Sequence, residues 1–474
     1  MVYRVFAVLL LSSLLTIDAS GQPRYQGEPL PYPAILGPAE EPMPKPGEIE
    51  NFTLVGYSDM NGWEKPTEIR VSPDGKWAFT AHNPPISEHQ PKMGGSIIDV
   101  SNPAQPRVVA RVEGHPNSHS QYIDVLGNTL VLNQERLRVE EGKTPPSSWE
   151  PGIRLFDISE PARPREVGFF RSDDLPGAGV HGFWLNEDSK QGKLVYLATS
   201  KRGYLGNILV IVDINNPAQP KEIGRWWYPG THTAGGEKPG EEWFADGGLF
   251  RGLPKIWTYL HDVTVYKDRA YLAYRDQGVI ILDVSDPTKP KMISQIKWSP
   301  PEQGNTHSIG VVIPPHGGRP DLIVATDEIF HCPYGYMHII DVRYEKNPVQ
   351  ISTFRLPVNR HCPPNPALAI GVHDVERMIR GNIVFSAWEN SGFWAVDISD
   401  PHRPKSVGYF VPPPFVRANS KEGHADDVFV HPNGLIYATS SEDGGGLWIL
   451  RYSPGVKGTV SWTKDFRGAV FKKR

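Results

Sequence analysis

One phrase recurs along this chain and narrows what it can fold into. A β-branched run leads to Asp, then Ile or Val, Ser or Asn, a variable residue, Pro, two residues, Pro, and a second short apolar run. It reads SIIDVSNPAQPRVVARV from Ser96, IRLFDISEPARPREVGFF from Ile153 and LVIVDINNPAQPKEIGRWW from Leu209. It returns as VIILDVSDPTKPKMISQIKW from Val279, more loosely as HIIDVRYEKNPVQISTF from His338, and tightly as FWAVDISDPHRPKSVGYF from Phe393. LWILRYSPG from Leu447 is a decayed seventh copy in which Arg451 replaces the Asp. The repeated acids Asp99, Asp157, Asp213, Asp283, Asp341 and Asp397 stand about 56 to 70 residues apart. That spacing fits a propeller blade of roughly 40–50 residues plus its loops.

The phrase has a mechanical reading. The β-branched run is a strand. Asp and Ser bond the backbone just ahead of them and open a turn. The two prolines deny that turn any ladder pairing and fix its shape. The second apolar run is an outer strand. Before each phrase stand two more strand signals joined by a tight turn, as in IRVSPDGKWAFTA from Ile69, VTVYKDRAYLAY from Val263 and DVFVHPNGLIYATS from Asp427. Their P-D-G, K-D and P-N-G turns are those that hairpins require. The expected fold is all-β: a seven-bladed β-propeller of four-stranded antiparallel blades. The last unit lacks its fourth strand, whereas FTLVGYSDM at 52–60 has that strand's pattern and precedes the first unit. An N-terminal strand completing the last blade would close the ring and remove the exposed edges.

Composition agrees. The 46 Gly and 47 Pro make about a fifth of the 474 residues, against a usual ~12%, which excludes a mostly helical chain. Lys and Arg total 49 against 53 Asp and Glu, with no long run of one sign, so the basic face of a nucleic-acid binder is missing. Residues 1–21 read as a signal peptide: Arg4, then an apolar stretch from Val5 to Ile17 too short to span a bilayer, then small residues up to Gly21. Residues 22–50 read as a Pro-rich tail, 51–455 as the propeller and 456–474 as a C-terminal extension. No later stretch is apolar enough to cross a membrane, so a secreted or periplasmic protein is expected.

These phrases resemble the LVIVD-repeat family of β-propellers, whose motif stands here as Leu209-Val210-Ile211-Val212-Asp213. The resemblance covers about residues 51–455. It implies the propeller architecture and an exported protein. It implies no particular chemistry, because that family is known mostly for proteins of unassigned role and fold is not function.

In an antiparallel four-stranded blade, the start of strand one, the end of strand two and the loop leaving strand four share one face. The starts of strand one read VHGFWL, LHDVTV, THSIGV and VHDVER. Aligned on the following hairpin, His181, His261, His307 and His373 take one equivalent position in four consecutive blades, with Thr67, Gln121 and Asp426 in the others. His119 and His424 lie two residues earlier in two blades, on the same side of a period-two strand. Glu68, Asp262, Asp374 and Asp427 follow the ring position directly. The ends of strand two add His82, Glu135, Lys201, Arg275, Glu328, Glu389 and Glu442. Imidazoles with carboxylates are the ligand set of a divalent transition metal such as Fe, Cu, Mn or Zn. The opposing reading is that repeats copy residues, so a recurring His bonded to the next blade can be structural.

Cys332 and Cys362, in IFHCPYGY and NRHCPPNP, lie near the same face. An oxidising compartment favours a disulfide pinning two loops; a His-Cys metal site or free thiols are the alternatives. The insertion at about 229–259 carries Trp243, Phe244, Phe250 and Trp257 and could cap the rim, and the Pro-rich loop at 137–152 could add a wall. No phosphate loop, serine elbow, H-E-x-x-H or EF-hand is present. The reading is a metal-dependent enzyme of redox or lyase type acting on a small molecule. His181, His261, His307 and His373 would be its ligands. His119, His424, Glu328, Glu389 and Arg275 would form its catalytic set. The alternatives are a binding or adhesion scaffold for a surface glycan or protein, and a metal-free His/carboxylate hydrolase or lyase.

Overall fold

A computed structural model of the protein describes residues 16–17, 23–24, 43–63, 65–83, 94–136, 149–173, 178–241, 243–244, 256–299, 304–329, 335–356, 371–413, 424–441, 445–463 and 468–474. The chain divides into Met1–Pro42 and Met43–Arg474. In the first unit, Thr16–Ile17 pairs antiparallel with Pro23–Arg24; the expected signal peptide otherwise lies outside the described residues. Cys332, Cys362 and Glu442 also lie outside them, as do Phe250 of the insertion and residues 137–148. No helix among the described residues is long and apolar enough to cross a membrane.

The second unit is all-β and forms a propeller. Five separate antiparallel sheets follow one another along the chain. The first runs Pro66–Val71, Trp77–His82, Gly95–Asp99, Arg107–Val112 in sequential order. The second spans Ser118–Arg171, the third Val180–Trp226, the fourth Asp262–Ile296 and the fifth Thr306–Phe354. Met378–Arg380 adds to the fifth in parallel. An eight-stranded sheet follows, holding the strands from Ile383 to Phe410, those from Ala425 to Lys473, and the N-terminal strand Glu48–Ser58. That strand pairs with Leu447–Trp462 from Phe52 to Ser58, the pairing expected from FTLVGYS. It also touches Phe410 and Tyr409 through Ile49 and Glu50. Leu447–Trp462 continues into the predicted C-terminal extension, and Ala469–Lys473 folds back onto it.

The recurring turn forms as the sequence predicts. The Oδ1 of Asp99, Asp157, Asp213, Asp283, Asp341 and Asp397 each accepts the backbone N–H two residues on, at 2.8–3.0 Å. The outer strand then bulges against its partner in every copy, for example between Ile211 and Val212 and between Ala395 and Val396. A small residue sits at the bulge and meets the next sheet's turn. A Cβ on Gly168 would collide with the Pro217 carbonyl, and one on Gly224 with that of Pro287. Where the position is Ser352, its hydroxyl instead donates to Pro401 O at 2.5 Å. The N-terminal strand makes the same joint, since a Cβ on Gly56 would collide with the Pro103 carbonyl of the first sheet. The turn prolines therefore do more than stop a strand: they dock neighbouring sheets.

The core lies between sheets. Val131 and Leu155 of the second sheet pack with Val195 and Val210 of the third. Ile69, Val71 and Ile98 of the first pack with Tyr437, Leu447 and Ile449 of the eight-stranded sheet, so the end of the fold meets its beginning. Each fully buried side chain of this kind contributes roughly 1.5–3 kcal/mol. Strand one also bulges at its start in several sheets, between Pro66 and Ile69, Val180 and Gly182, Thr306 and Ile309, and Ala425 and Val428. Bulges re-aim side chains, and these bracket Thr67, His181, His307 and Asp426.

Candidate metal centre

The strand-one starts converge on a cavity of about 320 Å³ lined by His181, His261, His307, His373 and His424. Thr67, Gln121 and Asp426, the other residues at the aligned position, line it as well. The imidazoles form a continuous arc. Ring centroids are 4.3 Å apart for His181–His261, 3.9 Å for His261–His307, 4.4 Å for His307–His373 and 5.9 Å for His373–His424.

A shared rule anchors the arc. His261 Nδ1 donates to the backbone carbonyl of His307, its counterpart in the next sheet, at 3.0 Å. His373 Nδ1 donates to the carbonyl of Asp426 at 2.8 Å, and Thr67 Oγ1 to that of Gln121 at 2.8 Å. The aligned position thus ties each of these repeats to the following one. His181 and His307 depart from the rule: His181 Nδ1 donates to Glu135 Oε1 at 2.9 Å, and His307 Nδ1 lies 3.5 Å from Asp374 Oδ1. These partners accept only, so the Nδ1 atoms carry the protons and the Nε2 atoms of neutral rings carry lone pairs. His181 Nε2 and His261 Nε2 face each other at 2.6 Å. Two lone pairs at that distance repel, so the pair needs either a second proton on one ring or a cation beside it. Burial, then Arg275, His307 and His181, hold the His261 pKa well below the usual imidazole value, so His261 is the neutral partner of the pair.

Carboxylates close the arc. His307 Nε2 lies 3.4 Å from Glu328 Oε2, and ligand atoms of His261, His307 and Glu328 fall within 4.8 Å of one another. A second such group is His307, His373 and Asp374. Burial opposes the ionisation of Glu328, but His307 and Arg275 outweigh it and bring its pKa to about 2; Arg275 Nη1 donates to it at 2.8 Å. Arg275 lies over the Trp257 ring at 4.5 Å and takes a left-handed φ of 41°, the kind of strain found at functional sites. Burial would keep His373 neutral, but Asp426 and Asp374 raise its pKa well above the usual value. Burial lowers that of His424 to about 4.

The other sequence-predicted residues sit further out. His119 is buried behind Glu135, its Nε2 3.0 Å from Oε2. Glu389 is fully buried outside the lining, accepts from Gly371 N at 3.0 Å, and has its pKa raised well above the usual value by burial and then by Glu328. His82 bonds Ser96 at 2.8 Å, and Lys201 bonds Glu222 at 2.8 Å. Sequence reasoning missed two buried arginines beneath the arc. Arg70 reaches Asp427 at 3.0 Å and pairs with Glu68; Arg377 reaches Asp262 at 2.8 Å and Glu68 at 3.3 Å. Their signal was a pair of charges inside each strand start, Glu68 with Arg70 in EIRV and Glu376 with Arg377 in VERMI.

A family model described as the LVIVD repeat matches residues 96–113, 192–227, 259–297 and 375–410. No curated protein sequence matches the chain. Among solved structures it is similar to U3-55K, with 10% identity, 84% of this chain and 98% of that chain covered, and a TM-score of 0.53. It is also similar to Sqt1 of Saccharomyces cerevisiae, with 6% identity, 90% and 99% covered, and a TM-score of 0.48. A functionally unknown protein of Desulfotomaculum acetoxidans DSM 771 is similar at 12% identity, 73% and 84% covered, with a TM-score of 0.44. The likeness to U3-55K is one of fold alone. With the repeat found both by the family model and in the docked turns of the sheets, this chain carries LVIVD repeats in a β-propeller arrangement, consistent with an LVIVD-repeat propeller protein.

Proposed function

We propose that this chain is an exported seven-bladed propeller that binds a divalent transition metal at one mouth of its channel and acts there on a small polar molecule. Seven blades follow if the eight-stranded sheet is two, joined where Ile49 and Glu50 bridge to Phe410 and Tyr409. Seven hydrophobic clusters among the described residues, each drawing on neighbouring sheets or on the two halves of the eight-stranded one, support that count.

The observation that carries the metal reading is the 2.6 Å approach of His181 Nε2 to His261 Nε2 with both Nδ1 atoms committed to acceptors. We assign His181, His261 and His307 as ligands, with Glu328 as the carboxylate. Glu135 behind His181 fixes that ring's tautomer, as carboxylates do behind metal-bound histidines. His373, flanked by Asp374 and Asp426, is better suited to donate a proton across the cavity than to coordinate. His424, with its depressed pKa, suits the complementary base, and Glu389 stands as a neutral acid beside Glu328. The metal would supply Lewis-acid or redox chemistry to a substrate in the cavity.

The test is elemental analysis of the full chain purified without chelators. About one equivalent of a transition metal is expected, and it should be absent from the His181→Ala/His261→Ala double variant. A wild-type protein with no stoichiometric metal, and no thermal stabilisation by Mn, Fe, Co, Cu or Zn, overturns the reading. Retention of all the metal by the double variant overturns the ligand assignment.

A further inference from the structure

Beneath the arc, the residues that follow the aligned position form a second, acidic layer: Glu68, Asp262, Asp374 and Asp427, all buried. Arg377 crosses this layer. It belongs to the same chain segment as His373 and is four residues beyond it. Its Nη1 donates to Asp262 Oδ1 at 3.0 Å and lies 2.8 Å from Oδ2, while Nη2 reaches Glu68 at 3.3 Å. One guanidinium therefore ties the segment carrying His373 to the fourth sheet at the residue next to His261, and to the first sheet at the residue next to Thr67. A planar fork can bridge two carboxylates in this way; an ammonium cannot hold both in the same geometry. The third sheet leaves room for Asp262: at Gly182 a Cβ would stand 3.0 Å from His261 O and 3.3 Å from Asp262 Oδ1. Arg70 provides an internal comparison. It is equally buried, but its ion pairs are to Glu68, Asp427 and Asp124, and its charge acts on Asp262 less than that of Arg377 does.

We propose that Arg377 is a positioning residue for the metal centre, acting through Asp262 to hold His261 Nε2 opposite His181. The inference rests on the metal reading above. Outer-layer partners of ligand histidines typically set metal affinity by about 10–100-fold. Asp262 would do so by fixing the backbone from which His261 projects. Arg377, by donating to Asp262 Oδ1 and holding its charge beside Oδ2, would fix that backbone across the channel.

The experiment titrates Co²⁺ into the full chain and follows its visible absorption for the wild type, Arg377→Lys, Asp262→Asn, the double variant and Arg70→Lys. Near-UV circular dichroism establishes that each is folded. Arg377→Lys and Asp262→Asn should each weaken Co²⁺ binding at least tenfold and alter the absorption envelope, the double variant should be no weaker than the worse single, and Arg70→Lys should stay within about twofold of wild type. Wild-type affinity in folded Arg377→Lys overturns this proposal and leaves the metal reading standing. Equal losses in Arg377→Lys and Arg70→Lys also overturn it, because the effect would then be general packing of the acidic layer. A wild type that takes up no Co²⁺ overturns the metal reading and this inference together.

Discussion

The joint between Gly224 and the Pro287 turn can be tested by adding one methyl group. In Gly224→Ala the new Cβ would stand 3.0 Å from both Pro287 C and Thr288 Cα, and closer still to the Pro287 carbonyl oxygen. Every atom it meets is backbone, and the turn is held by Asp283 Oδ1 accepting from Ser285 N at 2.9 Å, so no side chain can swing aside. Overpacking costs about 1–3 kcal/mol, and a backbone collision belongs at the upper end. Gly224 has no positive φ to relieve, so the substitution recovers about 0.4–1 kcal/mol from the stiffer unfolded chain. The net loss is about 2–3 kcal/mol. With an unfolding entropy of about 2.1 cal/mol/K per residue, the unit Met43–Arg474 loses its stability at roughly 0.9 kcal/mol/K near the midpoint. Differential scanning calorimetry should therefore show the midpoint about 2–3 °C lower. An unchanged or higher midpoint in Gly224→Ala would refute the docking of small residue on turn carbonyl, and with it the explanation of why this chain needs so much Gly and Pro.

Two further outcomes are expected. Glu135→Gln leaves an amide that can accept from His181 Nδ1 or from His119 Nε2 but no longer from both as an anion; competition titration with a chromophoric chelator should show metal affinity about 10–100-fold lower, and equal affinity would remove Glu135 from the site. The turn acids Asp99, Asp283 and Asp397 are held below their ordinary pKa by the neighbouring Ser101, Ser285 and Ser399. A carboxylate depressed in the folded state binds fewer protons there than in the unfolded chain, so its stabilisation is present above pH ~4 and is lost on acidification through the folded pKa. Asp283→Asn/Asp397→Asn should lower the urea midpoint at pH 7 and narrow the gap between pH 7 and pH 3; an unchanged gap would sink the assignment.

The architecture was legible because the repeat writes it several times over. Six Asp turns, the hairpins and the strand at 52–58 could be placed from pattern alone, since a turn needs only local hydrogen bonds. The aligned histidines were legible for the same reason: position in a repeat becomes position on a ring. The depth of each residue was not. His119 and His424 share one offset in the sequence, yet His119 backs Glu135 while His424 lines the cavity. Strict alternation places Thr67 and Glu68, or His373 and Asp374, on opposite faces, whereas all four line the cavity. At Thr67 and Glu68 the register shifts between Pro66 and Ile69, and no residue type in the stretch announces that shift. Arg377 went unread because its partners Asp262 and Glu68 come from other sheets, as does the Asp427 partner of Arg70, and distance across a channel leaves no trace in spacing.

The two readings of the recurring histidine, repeat filler and metal ligand, turn out to concern different atoms. What recurs in Thr67, His261 and His373 is a donor to the next repeat's backbone. A hydroxyl performs that duty as well as an imidazole. A histidine does it with Nδ1 and has a second nitrogen left over, on the far side of a rigid ring. The structural bond thereby fixes the tautomer and aims Nε2 at the channel without a dedicated supporting residue. Where Thr67 stands, the joint is made and nothing projects from it. Where histidines make the joint, at His261 and His373, the leftover nitrogens stand beside His181 and His307, and Glu328 and Asp374 meet the arc there. The site is thus an arc because chemistry needs only the repeats that carry histidine, whereas a hydroxyl serves the joint equally well at Thr67. A functional centre can arise in such a fold by exchanging one donor for another at a position the fold already holds in place.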